Sequence, residues 1–193
     1  MRVVILGGSG SGKSTQAERI CRYFQIQRVS TGEVLREAIT QSAVLDDPQL
    51  QELGLHAQPY IEQGELVPDD LMIEFIRSRL KKPDVSKGWV LEGYPRTAFQ
   101  AEELDFLLDE LGQKLDWCVY LQVPEAVMVN RSVERSLPDD QPEIIHRRVE
   151  LFYDCTVPIL EYYDRRRRLL TINGDQSPDA VEDEIIRLLS EVV

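Results

Sequence analysis

Cysteine, histidine and aromatic residues are scarce in this 193-residue chain. The three cysteines, Cys21, Cys118 and Cys155, are odd in number, widely spaced and without a C-x-x-C pair. That excludes a disulfide framework or a cysteine-rich zinc site as the organising element and points to reduced thiols. The two histidines, His56 and His146, fall in no motif, so surface positions are expected for both. Positive charge is also short, with 22 Lys and Arg against 34 Asp and Glu, a net −12. Such a surface disfavours a nucleic acid polymer or an anionic membrane as partner, because either needs a basic face. No run of apolar residues is long enough for a membrane-spanning helix, and the chain enters its first apolar segment without a signal-peptide charge pattern. A cytoplasmic location is therefore expected. Any phosphate ligand must be drawn in by a local cluster of cations.

One such cluster starts near the N-terminus. The apolar run Val3-Val4-Ile5-Leu6 leads directly into Gly7-Gly8-Ser9-Gly10-Ser11-Gly12-Lys13-Ser14-Thr15, followed by the helical spacing of Ala17, Ile20, Cys21 and Phe24. This is a complete G-x-x-x-x-G-K-[ST] phosphate-binding loop (P-loop) in the strand–loop–helix context that the motif requires. The glycines let successive backbone N–H groups approach a phosphate at a helix N-terminus. Lys13 can reach the β- and γ-phosphates, and the Ser14 hydroxyl can ligate Mg²⁺. Gly10, Ser11, Gly12, Lys13, Ser14 and Thr15 are accordingly expected at the ATP phosphates.

Further along, short apolar runs at 3–6, 27–30, 88–91, 117–123 and 169–172 alternate with helical periodicity. The pattern predicts an α/β protein, a five-stranded parallel sheet with helices on both faces and ligands outside the carboxyl ends of the strands. Residues 31–67 lack a strand and read as a helical insertion interrupted at Asp46-Asp47-Pro48, Gly54, Pro59 and Gly64. A final helix over about 178–189 closes the fold. The whole of 1–193 reads as one domain.

Three more clusters carry chemistry: Ser30-Thr31-Gly32-Glu33-Val34-Leu35-Arg36; Gly64-Glu65-Leu66-Val67-Pro68-Asp69; and Leu91-Glu92-Gly93-Tyr94-Pro95-Arg96-Thr97 with Gln100. Thr31 stands at a strand-to-helix junction, where its hydroxyl can cap the helix or meet a phosphate oxygen. Arg36 adds a charged fork one turn on. Arg96, at the end of a strand, can grip an acceptor phosphate bidentately. Gln100, one helical turn further, can offer a donor and an acceptor to a base. Together with the P-loop, these clusters resemble adenylate kinase and the wider nucleoside monophosphate (NMP) kinase family, from Met1 to Asn173-Gly174-Asp175-Gln176.

That resemblance implies a P-loop kinase whose NMP-binding insertion is 31–67 and whose short lid is 131–141. It places AMP against Thr31, Arg36, Glu65, Leu66, Val67, Gly93, Tyr94, Pro95, Arg96, Gln100 and Arg148. It puts ATP near Arg131, Arg135 and Gln176 besides the P-loop, and gives Lys13, Arg96, Arg135 and Arg148 the catalytic roles. Asp139 and Asp140 would organise the lid, and the short connection from Ser136 to Pro138 leaves no room for a zinc-binding insert. Mg²⁺ is the implied cofactor, held by Ser14 and, through water, by Glu92. The implied reaction is reversible phosphoryl transfer from ATP to AMP by a monomer. Other readings are a UMP/CMP kinase, which usually has asparagine near position 100, an ATP kinase with a small non-nucleotide acceptor, and an ATP/AMP-binding regulatory relative of weak activity.

Four residues depart from the family pattern. Ser9 stands where proline is usual, Ser14 where glycine is usual, and Glu92 where aspartate is usual. Leu137 replaces an arginine before the Asp-Asp pair, which removes a charge from the phosphate site. Loss of one such group can cost on the order of 10²–10³ in rate, with Arg135 or Arg148 able to compensate in part. Two features read as structural. Arg165-Arg166-Arg167-Arg168 caps a helix dipole, and Phe152, Tyr153, Ile159, Leu160, Tyr162 and Tyr163 form the packing face of a late helix interrupted at Pro158.

Overall fold

The structure is a computed structural model that describes residues 1–40, 48–135, 137 and 140–191, except the side chain of residue 49. Five strands, β1 (Arg2–Leu6), β2 (Gln27–Ser30), β3 (Trp89–Glu92), β4 (Trp117–Gln122) and β5 (Leu169–Asn173), form one parallel sheet in the order β2-β3-β1-β4-β5. In the central strand Val4 lies between Leu91 and Cys118. The apolar runs alone locate these strands to within one residue. Gly88 stays outside β3 because its N–H closes a turn on the Val85 carbonyl (3.2 Å), and β4 stops before Val123, which Pro124 follows.

Side chains alternate across the pleat and so supply two cores. On one face Val4, Leu6, Leu91 and Cys118 meet α4 (Asp69–Leu80), α5 (Ala98–Glu110) and α8 (Val157–Arg165) through Ile76, Leu104 and Ile159. On the other, Val3, Ile5, Val90, Val119 and Ile172 meet Ala17 and Ile20 of α1 (Lys13–Phe24) and Val181, Ile185 and Leu189 of α9 (Pro178–Ser190). Burial on both faces is what a parallel sheet with near-continuous apolar strands requires.

Between β2 and β3 run α2 (Thr31–Thr40), α3 (Pro48–Glu62) and α4. Asp46 and Asp47 lie outside the described residues. Contrary to the expected breaks, α3 continues through Gly54 and Pro59. Proline removes the bond to the carbonyl four residues back, and that residue, Leu55, is exposed, so water can satisfy it. At Gly54 a Cβ would stand 2.5 Å from the Ala38 carbonyl oxygen, which shows how closely α2 and α3 approach.

Following β4 come α6 (Glu125–Arg135) and α7 (Pro142–Leu151). Of the connection between them, Ser136, Pro138 and Asp139 lie outside the described residues. The late helix is interrupted earlier than Pro158 suggests. A π-helical turn, Phe152–Thr156, separates α7 from α8. This wider turn buries Phe152 and Thr156 and leaves Tyr153 exposed, so Tyr153 does not belong to the packing face. The arginine run is structural, as its position suggests: Arg165 pairs with Glu161, while Arg166 lies over the Tyr162 ring at 3.5 Å and Arg168 reaches Asp105. Among the described residues no helix is long and apolar enough to cross a membrane.

Replacing Gly54 by alanine forces α2 and α3 apart. The substitution should destabilise the protein by about 1–3 kcal/mol, read as a lower urea midpoint, with faster amide exchange in α2 and α3 than in the sheet.

Candidate active site

Every carboxyl end of the strands from β1 to β3 delivers part of one cleft. The β1 end continues into the P-loop, the β2 end into Ser30 and Thr31, and the β3 end into Glu92, Gly93 and Pro95. The cleft is lined by Gly8, Lys13, Ser14, Thr31, Arg36, Glu65, Leu66, Val67, Glu92, Gly93, Pro95, Arg96, Gln100, Arg135 and Arg148. Residues spread from position 8 to position 148 thus meet where a parallel sheet places its ligands.

The P-loop is seated on α6. Gly10 has φ +79°, and a Cβ there would come within 2.1 Å of the Met128 carbonyl oxygen, so only glycine fits. The Ser9 hydroxyl, in place of the proline usual in the family, joins Ser132 at 3.2 Å and Arg135 at 3.3 Å. These bonds link the phosphate loop to the helix that carries the arginines, a coupling the sequence does not reveal. Gly12 caps α1 in the left-handed region (φ 92°), and Lys13 donates to the Gly8 carbonyl (2.6 Å). Burial, reinforced by Arg96 and Arg135 and opposed by Glu92, lowers the Lys13 ammonium to about 7. Gly10, Ser11, Gly12 and Thr15 form the loop and helix start without lining the cleft, and Ser11 is buried.

Arg96 stands at the centre of the cationic group. Its Nε donates to the Gly93 carbonyl (3.0 Å). Its side chain keeps access to solvent, yet partial desolvation within the cleft first, then the repulsion of Arg148 and Arg36, brings its pKa down to about 10, with Glu92 opposing. It stays charged at neutral pH, in surroundings that favour an incoming anion. Arg135 holds Asp140 with two bonds (2.9 and 2.7 Å), and Arg148 lies 3.6 Å from the same carboxylate. Asp140 is buried, and it also accepts the Leu137 N–H at 3.1 Å. Position 137 therefore contributes backbone to the carboxylate that gathers the two arginines. Asp139 is outside the described residues.

Several of the expected residues also have partners within the protein. Thr31 donates to the Glu92 carbonyl (3.3 Å), and the helix N–H of Glu33 goes to Ser30 Oγ (3.4 Å) instead of to Thr31. Tyr94 is buried with its hydroxyl on the Gln100 carbonyl (3.1 Å); its ring belongs to the core and not to the cleft wall. Glu92 does face the cleft, but its Oε1 takes two bonds from Arg28 (3.0 and 2.7 Å). Arg28 also pairs with Glu33. Sequence reading missed Arg28 because 64 residues separate it from Glu92. Arg131 lies away from the cleft with Nη1 on the Gly174 carbonyl (3.1 Å), beside Gln176, whose Nε2 donates to the Asn173 carbonyl (2.9 Å). These two stay together at the carboxyl end of β5. An apolar wall of Leu35, Ile61, Val67 and Met72 completes the insertion side, where only Val67 was expected. Both histidines are exposed.

A divalent ion would find Ser14 and Glu92 in the cleft. Among the described residues no group of three or more His, Cys, Asp or Glu could hold a metal. Those two oxygen side chains fit Mg²⁺, which is bound by one or two protein oxygens together with substrate phosphates and water.

Comparison with known proteins agrees with this architecture. Residues 5–168 match the family model described as adenylate kinase. The chain is 74% identical to adenylate kinase 2 of Nostoc sp. over 98% of both chains. It is 51% identical to adenylate kinase 2 of Synechocystis sp. over 98% of this chain and 100% of that one. Identity to the adenylate kinase of Kosmotoga olearia is 35%, with 100% of each chain covered.

The depressed Lys13 pKa has a sign that can be measured. Above pH 7 the empty protein holds much of Lys13 neutral, and an arriving polyphosphate restores the charged form. At pH 8, tripolyphosphate binding should take up protons, up to about one per site, seen in calorimetry across buffers of different ionisation enthalpy; the uptake should fade at pH 6 and vanish in Lys13→Met.

Proposed function

The chain belongs to the adenylate kinase family, and on that premise we infer that it performs reversible phosphoryl transfer from ATP to AMP, giving two ADP, with the roles below carried by its own residues. The relatives at 74% and 51% identity are both named adenylate kinases, which favours this reaction over a pyrimidine acceptor or a binder without turnover. The observation that carries the assignment of roles is the convergence of Lys13, Thr31, Arg36, Arg96, Gln100, Arg135 and Arg148 on one cleft.

In this reading the P-loop amides and Lys13 hold the ATP phosphates. Arg131 and Gln176 flank the ATP base at the end of β5. Arg36 and Arg96, with Thr31, hold the AMP phosphate, and Arg148 lies between the two ligands. The AMP base enters the wall of Leu35, Ile61, Val67 and Met72, beside the Glu65-Leu66-Val67 backbone, and meets Gln100. AMP needs no general base, since a phosphate monoester with a second pKa of about 6 is mostly dianionic at neutral pH. This accords with the exposed positions of both histidines. Catalysis is then positioning and charge neutralisation. Mg²⁺, held by Ser14 and through water by Glu92, would offset charge on the ATP phosphates. Arg28 keeps the Glu92 carboxylate in place.

Residues 31–67 act as the NMP-binding unit and 131–141 as the lid, closing over the ligands to exclude water. An ion pair crosses between the first unit and α7. Arg147 grips Glu65 with bonds of 2.6 and 3.1 Å, and both side chains are part-exposed. An exposed pair of this kind contributes little, so it can form and break as the cleft cycles. Three thiols without disulfide partners fit a reducing cytoplasm, and a monomer contains every group the reaction uses.

The test is ADP formation from ATP and AMP, with UMP, CMP and GMP as parallel acceptors, with and without Mg²⁺. Turnover should be strongest with AMP and depend on Mg²⁺. Lys13→Met should lose at least about 10²–10³ in kcat while remaining folded; full activity in that variant would overturn the phosphate site.

A further inference from the structure

Gln100 is only 2% exposed, and both ends of its carboxamide are already engaged. Its Oε1 accepts the Arg96 backbone N–H at 2.7 Å, and its Nε2 donates to Asp69 Oδ1, also at 2.7 Å. Asp69 is the first residue of α4, and the same oxygen accepts the Thr97 hydroxyl (3.2 Å). Thr97 in turn caps α5 by accepting the Gln100 N–H (3.2 Å). Two helix starts, one before and one after β3 in the chain, are thereby tied to one carboxamide.

We propose that Asp69 is a positioning residue for base discrimination: it fixes which way the Gln100 carboxamide faces, and so makes the site read adenine in preference to a 6-oxopurine. The inference rests on the base-reading role given to Gln100 in the proposed mechanism.

The chemistry of the two flanking groups dictates the orientation. A carboxylate only accepts, and a backbone N–H only donates. A carboxamide held between them has its nitrogen toward Asp69 and its oxygen toward Arg96. Turning it over would set Oε1 against the carboxylate and Nε2 against an N–H, two repulsive contacts in a buried place. In the permitted orientation one N–H and one oxygen lone pair remain. Adenine presents an acceptor at N1 beside a donor at N6, which matches them. Hypoxanthine has nearly the same shape with the pattern reversed, a donor at N1 beside an acceptor at O6. To read it the carboxamide would have to turn over. The wall of Leu35, Ile61, Val67 and Met72 is apolar and would not rescue the mismatch.

The experiment compares kcat/KM for AMP and for IMP as acceptors, with ATP as donor, in the wild type, Asp69→Leu, Asp69→Ser, Asp69→Asn and Gln100→Ala. Asp69→Leu and Asp69→Ser should lower the AMP-over-IMP ratio about tenfold, mainly through KM for the acceptor, with KM for ATP unchanged. Asp69→Asn keeps an acceptor oxygen within reach of Nε2 and should retain the ratio within about twofold. A purely structural role for Asp69 would lower activity on both acceptors alike and leave the ratio intact. If Asp69→Leu does not fold, Asp69→Ser carries the comparison. An unchanged ratio in a folded Asp69→Leu or Asp69→Ser, beside a reduced one in Gln100→Ala, overturns the orienting role alone. Loss of the ratio in Asp69→Asn as complete as in Asp69→Leu also overturns it, because charge and not orientation would then be responsible. An unchanged ratio in Gln100→Ala removes the base-reading role of Gln100 and this inference with it.

Discussion

Positive charge crowded at one edge of the sheet, in excess over the negative charge beside it, is the constraint around which the cleft is organised. Lys13 is brought down to about 7 and Arg96 to about 10, both first by partial desolvation in the cleft and then by neighbouring arginines. Both shifts disfavour the charged form, and an arriving anion opposes them. An overall charge of −12 makes the contrast sharper. The acidic exterior repels anions in general, while the sheet's carboxyl edge attracts them at one place. Affinity for phosphate and the means of neutralising a phosphoryl group in transfer come from the same unrelieved charge.

Holding cations together requires a rigid frame, and each part of it can be traced to packing. The parallel sheet gives three adjacent carboxyl ends. The P-loop is pressed on α6 so closely that Gly10 has no room for a side chain. The carboxylate of Asp140 gathers Arg135 and Arg148 from two different helices, and Arg28 fixes Glu92 opposite them. Being buried and multiply bonded, the two anions set the spacing between cations. They do this without cancelling the field that the ligand meets, because the lining still carries more positive than negative side chains.

What could be read from the sequence follows the range of the interactions. Strands were legible because burial on both faces demands unbroken apolar runs such as Val3-Val4-Ile5-Leu6. The P-loop was legible because its chemistry is local. The Arg28–Glu92 pair and the Asp69–Gln100 bond span 64 and 31 residues, and no periodicity signals them. Gln100 itself was identified, yet as a carboxamide open to a base, whereas half of its capacity is committed to the protein. Tyr94 was misjudged for a related reason. Its neighbours Gly93 and Pro95 line the cleft, but its ring turns into the core. Pro59 and Gly54 read as breaks because local propensity disfavours them in a helix, and tertiary packing overrides that preference in α3.

Leucine at position 137 becomes intelligible in the same electrostatic terms. The cleft lining already includes Lys13, Arg36, Arg96, Arg135 and Arg148, against Glu65 and Glu92. A further arginine beside Asp140 would share a carboxylate that Arg135 occupies with two bonds and Arg148 approaches at 3.6 Å. It would also add to the repulsion that depresses Lys13 and Arg96. Like charges crowded in one cleft cost free energy until a ligand compensates them. With the Ser9 hydroxyl bonded to Arg135, the P-loop itself holds that arginine at the cleft. Serine at position 9 and leucine at position 137 act on the same arginine: one binds its guanidinium, and the other leaves Asp140 to Arg135 and Arg148.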